Sequence, residues 1–124
     1  MGGVITRYVR GLKVGKLKTL DDATFQGALD TAKPLLVDFG ASWCGPCWLL
    51  EPVLEELAEE YGAQVKVMKA DFDASHRTAT ELGVRSLPTV VFFKNGREVD
   101  RLVGALPKAA LAEHIDALLE VQPV

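Results

Sequence analysis

The stretch LLVDFGASWCGPC occupies residues 35–47 and contains both cysteines of the 124-residue chain. Its first five residues form an apolar run broken only by Asp38, a pattern typical of a strand covered on both faces. The segment from Trp48 to Tyr61 has amphipathic spacing and predicts a helix. Cys44 and Cys47 therefore lie where a strand passes into a helix, at the positive end of the helix dipole. That position favours a thiolate, the species that attacks disulfides, so the stretch predicts thiol–disulfide exchange.

The composition restricts the class of protein. Hydrophobic residues make up 48% of the chain and charged residues 25%, which are the proportions of an ordinary globular domain. A net charge of -3 predicts no general affinity for nucleic acid. No apolar run approaches the roughly 20 residues of a membrane span, so no membrane association is expected. Two cysteines are too few for a disulfide scaffold, whereas a CxxC beside a βαβ pattern is typical of a redox pair.

The beginning of the chain differs from the rest, because cations at positions 7, 10, 13, 16 and 18 precede the first acid, Asp21. We interpret residues 1–17 as a basic, solvated extension and residues 18–124 as the domain. The partial alternation of Leu12 to Leu17 also predicts a first, edge strand. The expected location is the cytoplasm. A basic, acid-poor segment is also typical of an organelle targeting peptide, which is the alternative.

Hydrophobic periodicity predicts α/β architecture for the rest of the chain. Thr19 to Asp22 offers caps for a first helix, and Pro52 predicts a kink in the helix after the dithiol. The Asn-Gly pair at residues 95–96 predicts a β-hairpin near the end of the chain. The complete order is βαβαβαββα, with strands at Leu35–Phe39, Val65–Ala70, Thr89–Phe93 and Glu98–Val103, and later helices at Ser75–Leu82 and after Pro107.

A series of motifs in this order resembles the thioredoxin family. The resemblance covers roughly Lys18 to Glu120 and implies a thioredoxin-like three-layer sandwich, in which helices flank a mixed central β-sheet. The residues that carry it are Val37-Asp38-Phe39, Trp43-Cys44-Gly45-Pro46-Cys47, Pro52, Lys69 with Asp73, Ser86-Leu87-Pro88-Thr89, Lys94-Asn95-Gly96 and Val103-Gly104.

The resemblance implies a role for each of these site residues. Cys44 is expected to be the attacking thiol and Cys47 the buried resolving thiol. Asp38 is expected to be the buried acid that moves a proton to and from Cys47, with Lys69 as its charged neighbour. Pro88 is expected to follow a cis peptide bond and to face the dithiol. The residues expected to shape the active site are Trp43, Gly45, Pro46, Leu87, Pro88 and Gly104.

The same resemblance implies a protein-disulfide reductase. Its expected partners are disulfide-containing client proteins and a thioredoxin-reductase-like electron donor. The redox-active disulfide Cys44–Cys47 is expected to need no further cofactor and no metal. The sequence departs from the family at two positions, because thioredoxins usually carry Trp at Gly40 and Lys or Arg at Trp48. We expect Gly40 to loosen packing beneath the active-site turn, and Trp48 to remove a cation and add an aromatic contact.

Alternatives stay open at this stage. Asp38 could be a surface acid on an edge strand, and the CxxC could be half of a zinc site completed by His76 and His114. Within the same fold, a disulfide oxidase or isomerase and a binding or holdase module are alternative functions. Gly40 and Trp48 leave room for the binding module.

Overall fold

The central strand of the sheet is the apolar run that precedes the dithiol. The computed structural model describes residues 7–9, 12–14 and 17–120, the first two ranges by their backbone alone. Strand β4, Leu35–Gly40, has a hydrogen-bonded neighbour on each side, and it is buried along five of its six residues because apolar clusters cover both faces of the sheet. Successive side chains of a strand point to opposite faces of the sheet. The apolar side chains of β4 accordingly belong to two separate clusters, one on each face.

Five strands form the main sheet, in the order Lys18–Leu20 (β3), Lys66–Asp71 (β5), Leu35–Gly40 (β4), Thr89–Lys94 (β6) and Arg97–Val103 (β7). The first three of these strands are parallel, and the last two join antiparallel through the predicted hairpin. The elements after β4 are α2 (Gly45–Tyr61), a 3-10 turn (Gly62–Gln64), β5 (Lys66–Asp71), α3 (His76–Leu82), β6 (Thr89–Lys94), β7 (Arg97–Val103) and α4 (Lys108–Leu119). The elements before β4 are β1 (Arg7–Val9), β2 (Leu12–Val14), β3 (Lys18–Leu20) and α1 (Phe25–Leu29).

The three-layer sandwich expected from the sequence is confirmed. One cluster packs Leu36 of β4 with Leu54 of α2 and Ile115 of α4 on one face of the sheet. The other packs Phe39 of β4 with Phe25 of α1 and Ala79 of α3 on the opposite face. Because successive residues of a strand alternate in direction, Asp38 points to the same side as Leu36, toward α2. This alternation brings a carboxylate behind the helix that carries the cysteines.

The beginning of the chain differs from the prediction. Leu12–Val14 does not join the main sheet; it pairs antiparallel with Arg7–Val9 in a two-stranded sheet, and it contacts α2. The edge strand of the main sheet is Lys18–Leu20, and the first helix begins only at Phe25. The misassignment arose because Leu12–Leu17 and Lys18–Leu20 both fit a short edge strand, and only long-range pairing with β5 distinguishes them. Whether residues 1–17 form a separate unit stays a prediction.

The outward face predicted for α2 is also partly wrong. The amphipathic spacing of α2 predicts that Glu55, Glu56, Glu59 and Glu60 face solvent, but Glu55 is buried, with 2% of its surface exposed. The helix contacts β2 as well as β5 and α4. It therefore exposes less of its surface to water than an amphipathic helix that packs on one side only. Pro52 lies inside the helix, which continues to Tyr61, and the predicted kink stays a prediction.

Helices α2 and α4 are joined by polar contacts along their outer edge. Tyr61 donates a hydrogen bond from its hydroxyl to Oδ1 of Asp116 at 2.5 Å. Lys108 binds Oε1 of Glu56 at 2.8 Å and also contacts Glu60. The ion pairs of Lys108 are partly exposed and therefore contribute little to stability.

Two glycines give opposite expectations for replacement by alanine. Gly83 ends α3 in the left-handed conformation, with φ 72°, and Gly27 lies inside α1 at ordinary helical angles. An added Cβ meets nothing within 4 Å at either position, so only the backbone preference differs. Gly83→Ala is expected to lower the free energy of unfolding by about 1 kcal/mol, and Gly27→Ala to raise it by about 0.5–1 kcal/mol. Urea denaturation measures both, and equal changes in the two variants would contradict this interpretation.

Candidate active site

The dithiol is formed at the first turn of α2. Cys44 and Cys47 are joined by a disulfide, with their Cα atoms 5.4 Å apart. Cys44 occupies the N-cap position of the helix, and its Sγ accepts a hydrogen bond from the backbone N–H of Cys47 at 3.2 Å. Gly45 and Pro46 are the first two helical residues, and proline suits this position because its missing N–H has no helical partner there. In the reduced protein, the backbone N–H of Cys47 and the helix dipole both favour negative charge on the sulfur of Cys44.

The two cysteines differ in their surroundings more than in their exposure. Each exposes 7% of its surface, so burial does not distinguish the attacking thiol from the resolving one. Cys47, however, lines a cavity of about 220 Å³ together with Asp38, Glu51 and Lys69. Cys44 lies outside this lining, at the cap of the helix. Cys47 is thus the cysteine that shares a cavity with Asp38, and the division of roles between the two thiols stays a prediction.

Asp38 is buried, not a surface acid. It exposes 4% of its surface, and its Oδ1 has no hydrogen-bond partner among the described residues. Burial raises the pKa of Asp38 to about 7, the negative charge of Glu51 adds to the rise, and the cation of Lys69 opposes it. A carboxylate with this pKa is matched to proton transfer near neutral pH.

Lys69 lies beside Asp38, as the resemblance implies, because the two residues are paired in register on the parallel strands β5 and β4. Its ammonium nevertheless binds a different carboxylate. Nζ of Lys69 donates to Oε2 of Glu51 at 2.7 Å. The sequence interpretation missed Glu51, although one signal was present: Glu51 follows Cys47 by four residues, so the two share a face of α2.

Gly40 lies at the cavity, and the looser packing expected from it stays a prediction. Gly40 lines the cavity, and a Cβ built there would lie 3.3 Å from Sγ of Cys47 and 4.0 Å from Oδ2 of Asp38. A side chain at Gly40 would therefore crowd the sulfur of Cys47, whereas its Cβ would be in ordinary van der Waals contact with Asp38. Because Gly40 has no side chain, the cavity stays open beside the sulfur of Cys47.

Both tryptophans of the site are on the surface and not in the core. Trp43 is 65% exposed and donates from Nε1 to Oδ2 of Asp73 at 3.0 Å. Trp48 is 52% exposed and donates from Nε1 to the carbonyl of Ser42 at 2.9 Å. These hydrogen bonds orient two large apolar faces toward solvent beside the dithiol, which suits contact with another protein.

The remaining predicted site residues lie at Leu87–Pro88 and at Gly104, two segments that a backbone hydrogen bond connects. The peptide bond between Leu87 and Pro88 is cis, as the resemblance implies, and Leu87 packs partly against the second core cluster. The carbonyl of Pro88 accepts a hydrogen bond from Gly104 at 2.8 Å, and Gly104 has φ 99°, a conformation that favours glycine. That Pro88 faces the dithiol stays a prediction.

Comparison with known proteins identifies the family. The model of the thioredoxin family matches residues 16–117. The chain belongs to the thioredoxin family. It is 49% identical over 96 residues to Thioredoxin 1 of Synechococcus elongatus, covering 77% of this chain and 90% of that protein. Thioredoxin of Alicyclobacillus acidocaldarius is 45% identical over 102 residues, which cover 82% of this chain and 97% of the relative.

A chloroplast relative is similar over a smaller share of its own length. Thioredoxin M-type, chloroplastic, of Pisum sativum is 43% identical over 104 residues, covering 83% of this chain and 60% of the pea protein. Family membership and the bonded pair Cys44–Cys47 make the chain a thiol–disulfide oxidoreductase.

Two kinds of feature are absent from the described residues. Within them, no group of three or more His, Cys, Asp and Glu side chains is arranged to hold a metal ion. No helix among them is both long enough and apolar enough to cross a membrane.

Proposed function

We propose that this member of the thioredoxin family acts as a protein-disulfide reductase. The observation that carries the proposal is the asymmetry of the dithiol: Cys44 accepts a helix N–H, while Cys47 lines the cavity of Asp38. The Cys44 thiolate attacks one sulfur of a client disulfide and forms a mixed disulfide, and the other client sulfur leaves as a thiolate. Cys47 passes its proton to Asp38 and attacks Cys44, which releases the second client sulfur. The client gains two electrons and the Cys44–Cys47 disulfide forms.

The partners belong to the same proposal. Disulfide-containing proteins are the clients, and the exposed faces of Trp43 and Trp48 offer them an apolar contact beside Cys44. A thioredoxin-reductase-like donor returns two electrons to the Cys44–Cys47 disulfide after each cycle. The dithiol itself carries the electrons, so the proposed cycle uses no bound cofactor.

Reduction of insulin tests the activity. With a dithiol as electron donor, the purified protein is expected to accelerate insulin reduction well above the rate of the donor alone. The Cys47→Ser variant is expected to stop after one exchange with the client still bonded to Cys44, because the resolving sulfur is absent. Mass spectrometry of the trapped adducts then identifies the clients.

The result that rejects the reductase proposal is equally specific. Wild-type protein that leaves insulin oxidised in the presence of donor would exclude it. A markedly oxidising reduction potential would favour the oxidase or isomerase, because such a pair gives disulfides to its partners. Protection of clients from aggregation that survives loss of both cysteines would favour the holdase module.

We also propose that the protein works in the cytoplasm, where a dithiol can be kept reduced. The pea relative is chloroplastic, and the basic residues 1–17 keep an organelle as the alternative. Fusion of residues 1–17 to a fluorescent protein distinguishes the two locations. Diffuse fluorescence supports the cytoplasm, and accumulation in an organelle supports the alternative.

A further inference from the structure

Glu51 is a charged side chain of the cavity that has no part in the proposed cycle. Glu51 lies on α2, four residues after Cys47, and lines the same cavity as Cys47 and Asp38. Its carboxylate binds Lys69, and the side chains of Glu51 and Lys69 are only 16% and 28% exposed. A partly buried pair is less screened by solvent than a surface pair, so its charges act on their neighbours.

Lys69 forms its ion pair with only one of the carboxylates that line the cavity. Asp38 is its partner in strand register, and Glu51 is its partner in the ion pair. If the ammonium bound Asp38 instead, the cation would favour the ionised carboxylate and make it a weaker base. The observed pairing leaves Asp38 buried, with its Oδ1 unpartnered among the described residues.

Other charged groups around Asp38 do not replace this effect. Asp71 also lines the cavity, but its Oδ2 accepts a hydrogen bond from the N–H of Ala74. On the other side of β4, strand β6 places Val90 opposite Asp38. Thr19 of β3 is polar and uncharged. The charges that line the cavity with Asp38 are therefore Glu51, Lys69 and Asp71.

We propose that Glu51 is a positioning residue of the exchange reaction, which holds the ammonium of Lys69 away from Asp38 and thereby keeps Asp38 basic enough to take the proton of Cys47. The proposal rests on the proposed function for the identity of the step. In that step the proton moves from Sγ of Cys47 to a carboxylate oxygen of Asp38. The sulfur of Cys47 then bonds to Cys44, and the bond between Cys44 and the client breaks.

The test is the titration of the Asp38 carboxyl carbon by NMR in the oxidised protein. Glu51→Gln is expected to lower the proton affinity of Asp38 by about three- to tenfold, because it removes a nearby anion and frees the cation. Glu56→Gln is the matched control, since Glu56 is on the same helix and pairs with Lys108 at 2.8 Å outside the cavity lining. Equal titrations in these two variants would overturn the proposal.

A second pair of variants tests whether Glu51 acts through Lys69. In a Lys69→Met background, Glu51→Gln is expected to change the proton affinity of Asp38 clearly less than it does in the wild type. An undiminished change would overturn the positioning role, because Glu51 would then act on Asp38 directly. In Glu51→Asp, which keeps the negative charge, the proton affinity of Asp38 is expected to be at least half of its wild-type value.

Activity provides the second readout. The pH midpoint of insulin reduction by Glu51→Gln is expected to move in the acid direction together with the Asp38 titration, and the midpoint of Glu56→Gln to stay in place. A titration shift without a shift in this midpoint would overturn the link to proton transfer. If wild-type protein reduced no insulin while the titration shift was present, the reductase proposal alone would fail.

Discussion

Cys44→Ser is expected to abolish disulfide reduction, with the insulin rate falling by roughly a thousandfold or more to that of the donor alone. The hydroxyl of serine does not ionise near neutral pH, so neither the helix dipole nor the N–H of Cys47 has a thiolate to stabilise. Steady-state insulin reduction measures the loss. The variant is also expected to form no client adduct.

The control for this prediction is Cys47→Ser, which changes the same atom at the other cysteine. It is expected to lose turnover but to keep the first exchange, so a burst of mixed disulfide should appear in Cys47→Ser alone. Comparison of both variants with the reduced wild type in urea separates a folding defect from a chemical one. A trapped adduct on Cys47 in the Cys44→Ser protein would contradict the assigned roles.

Asp38→Asn is expected to stabilise the protein at pH 8 by about 2–4 kcal/mol, an effect that disappears near pH 4. The pKa of Asp38 is raised from an ordinary 3.8 to about 7 in the folded protein, mainly by burial. The unfolded chain therefore releases its proton at lower pH than the folded chain does. Stability from this group is fully present below pH 4 and is lost as pH rises through 7, whereas asparagine has no proton to lose.

Urea denaturation at pH 4 and pH 8 measures this effect. Asp30→Asn, at an exposed position after α1, is the matched control for the chemical change. The same stabilisation at both pH values, or none at pH 8, would contradict a buried carboxylate that titrates near 7. The variant is also expected to slow the release of clients from Cys44, because the proposed acceptor of the Cys47 proton is removed. Stability and turnover would then change in opposite directions at this residue.

Much of the fold could be predicted from local pattern. The continuous apolar run at Leu35–Phe39 predicted the central strand, and Asn95 and Gly96 predicted the hairpin that the structure forms at positive φ. Each signal depends on neighbours in sequence, which periodicity and turn chemistry report well. Local pattern did not predict the edge strand at Lys18–Leu20, because which residues form that strand depends on their pairing with β5, far along the chain.

The features of the active site also divide into those that the sequence predicts and those that depend on tertiary packing. The dithiol at a helix start follows from the order of residues 35–47 alone, and the resemblance to the family supplied the roles of Asp38, Lys69 and Pro88. Periodicity did not predict the burial of Glu55 or the ion pair of Glu51, because both depend on what packs against α2.

The sequence by itself determined the chemistry, because two cysteines with two residues between them at a strand–helix boundary specify a dithiol close to a helix dipole. Only the tertiary structure decided the electrostatics around it. Which carboxylate the ammonium of Lys69 binds depends on how α2 crosses β5, and the basicity of Asp38 depends on the depth at which the sheet buries it. Both are contacts between residues distant in sequence, whose strength is set by burial and separation in space.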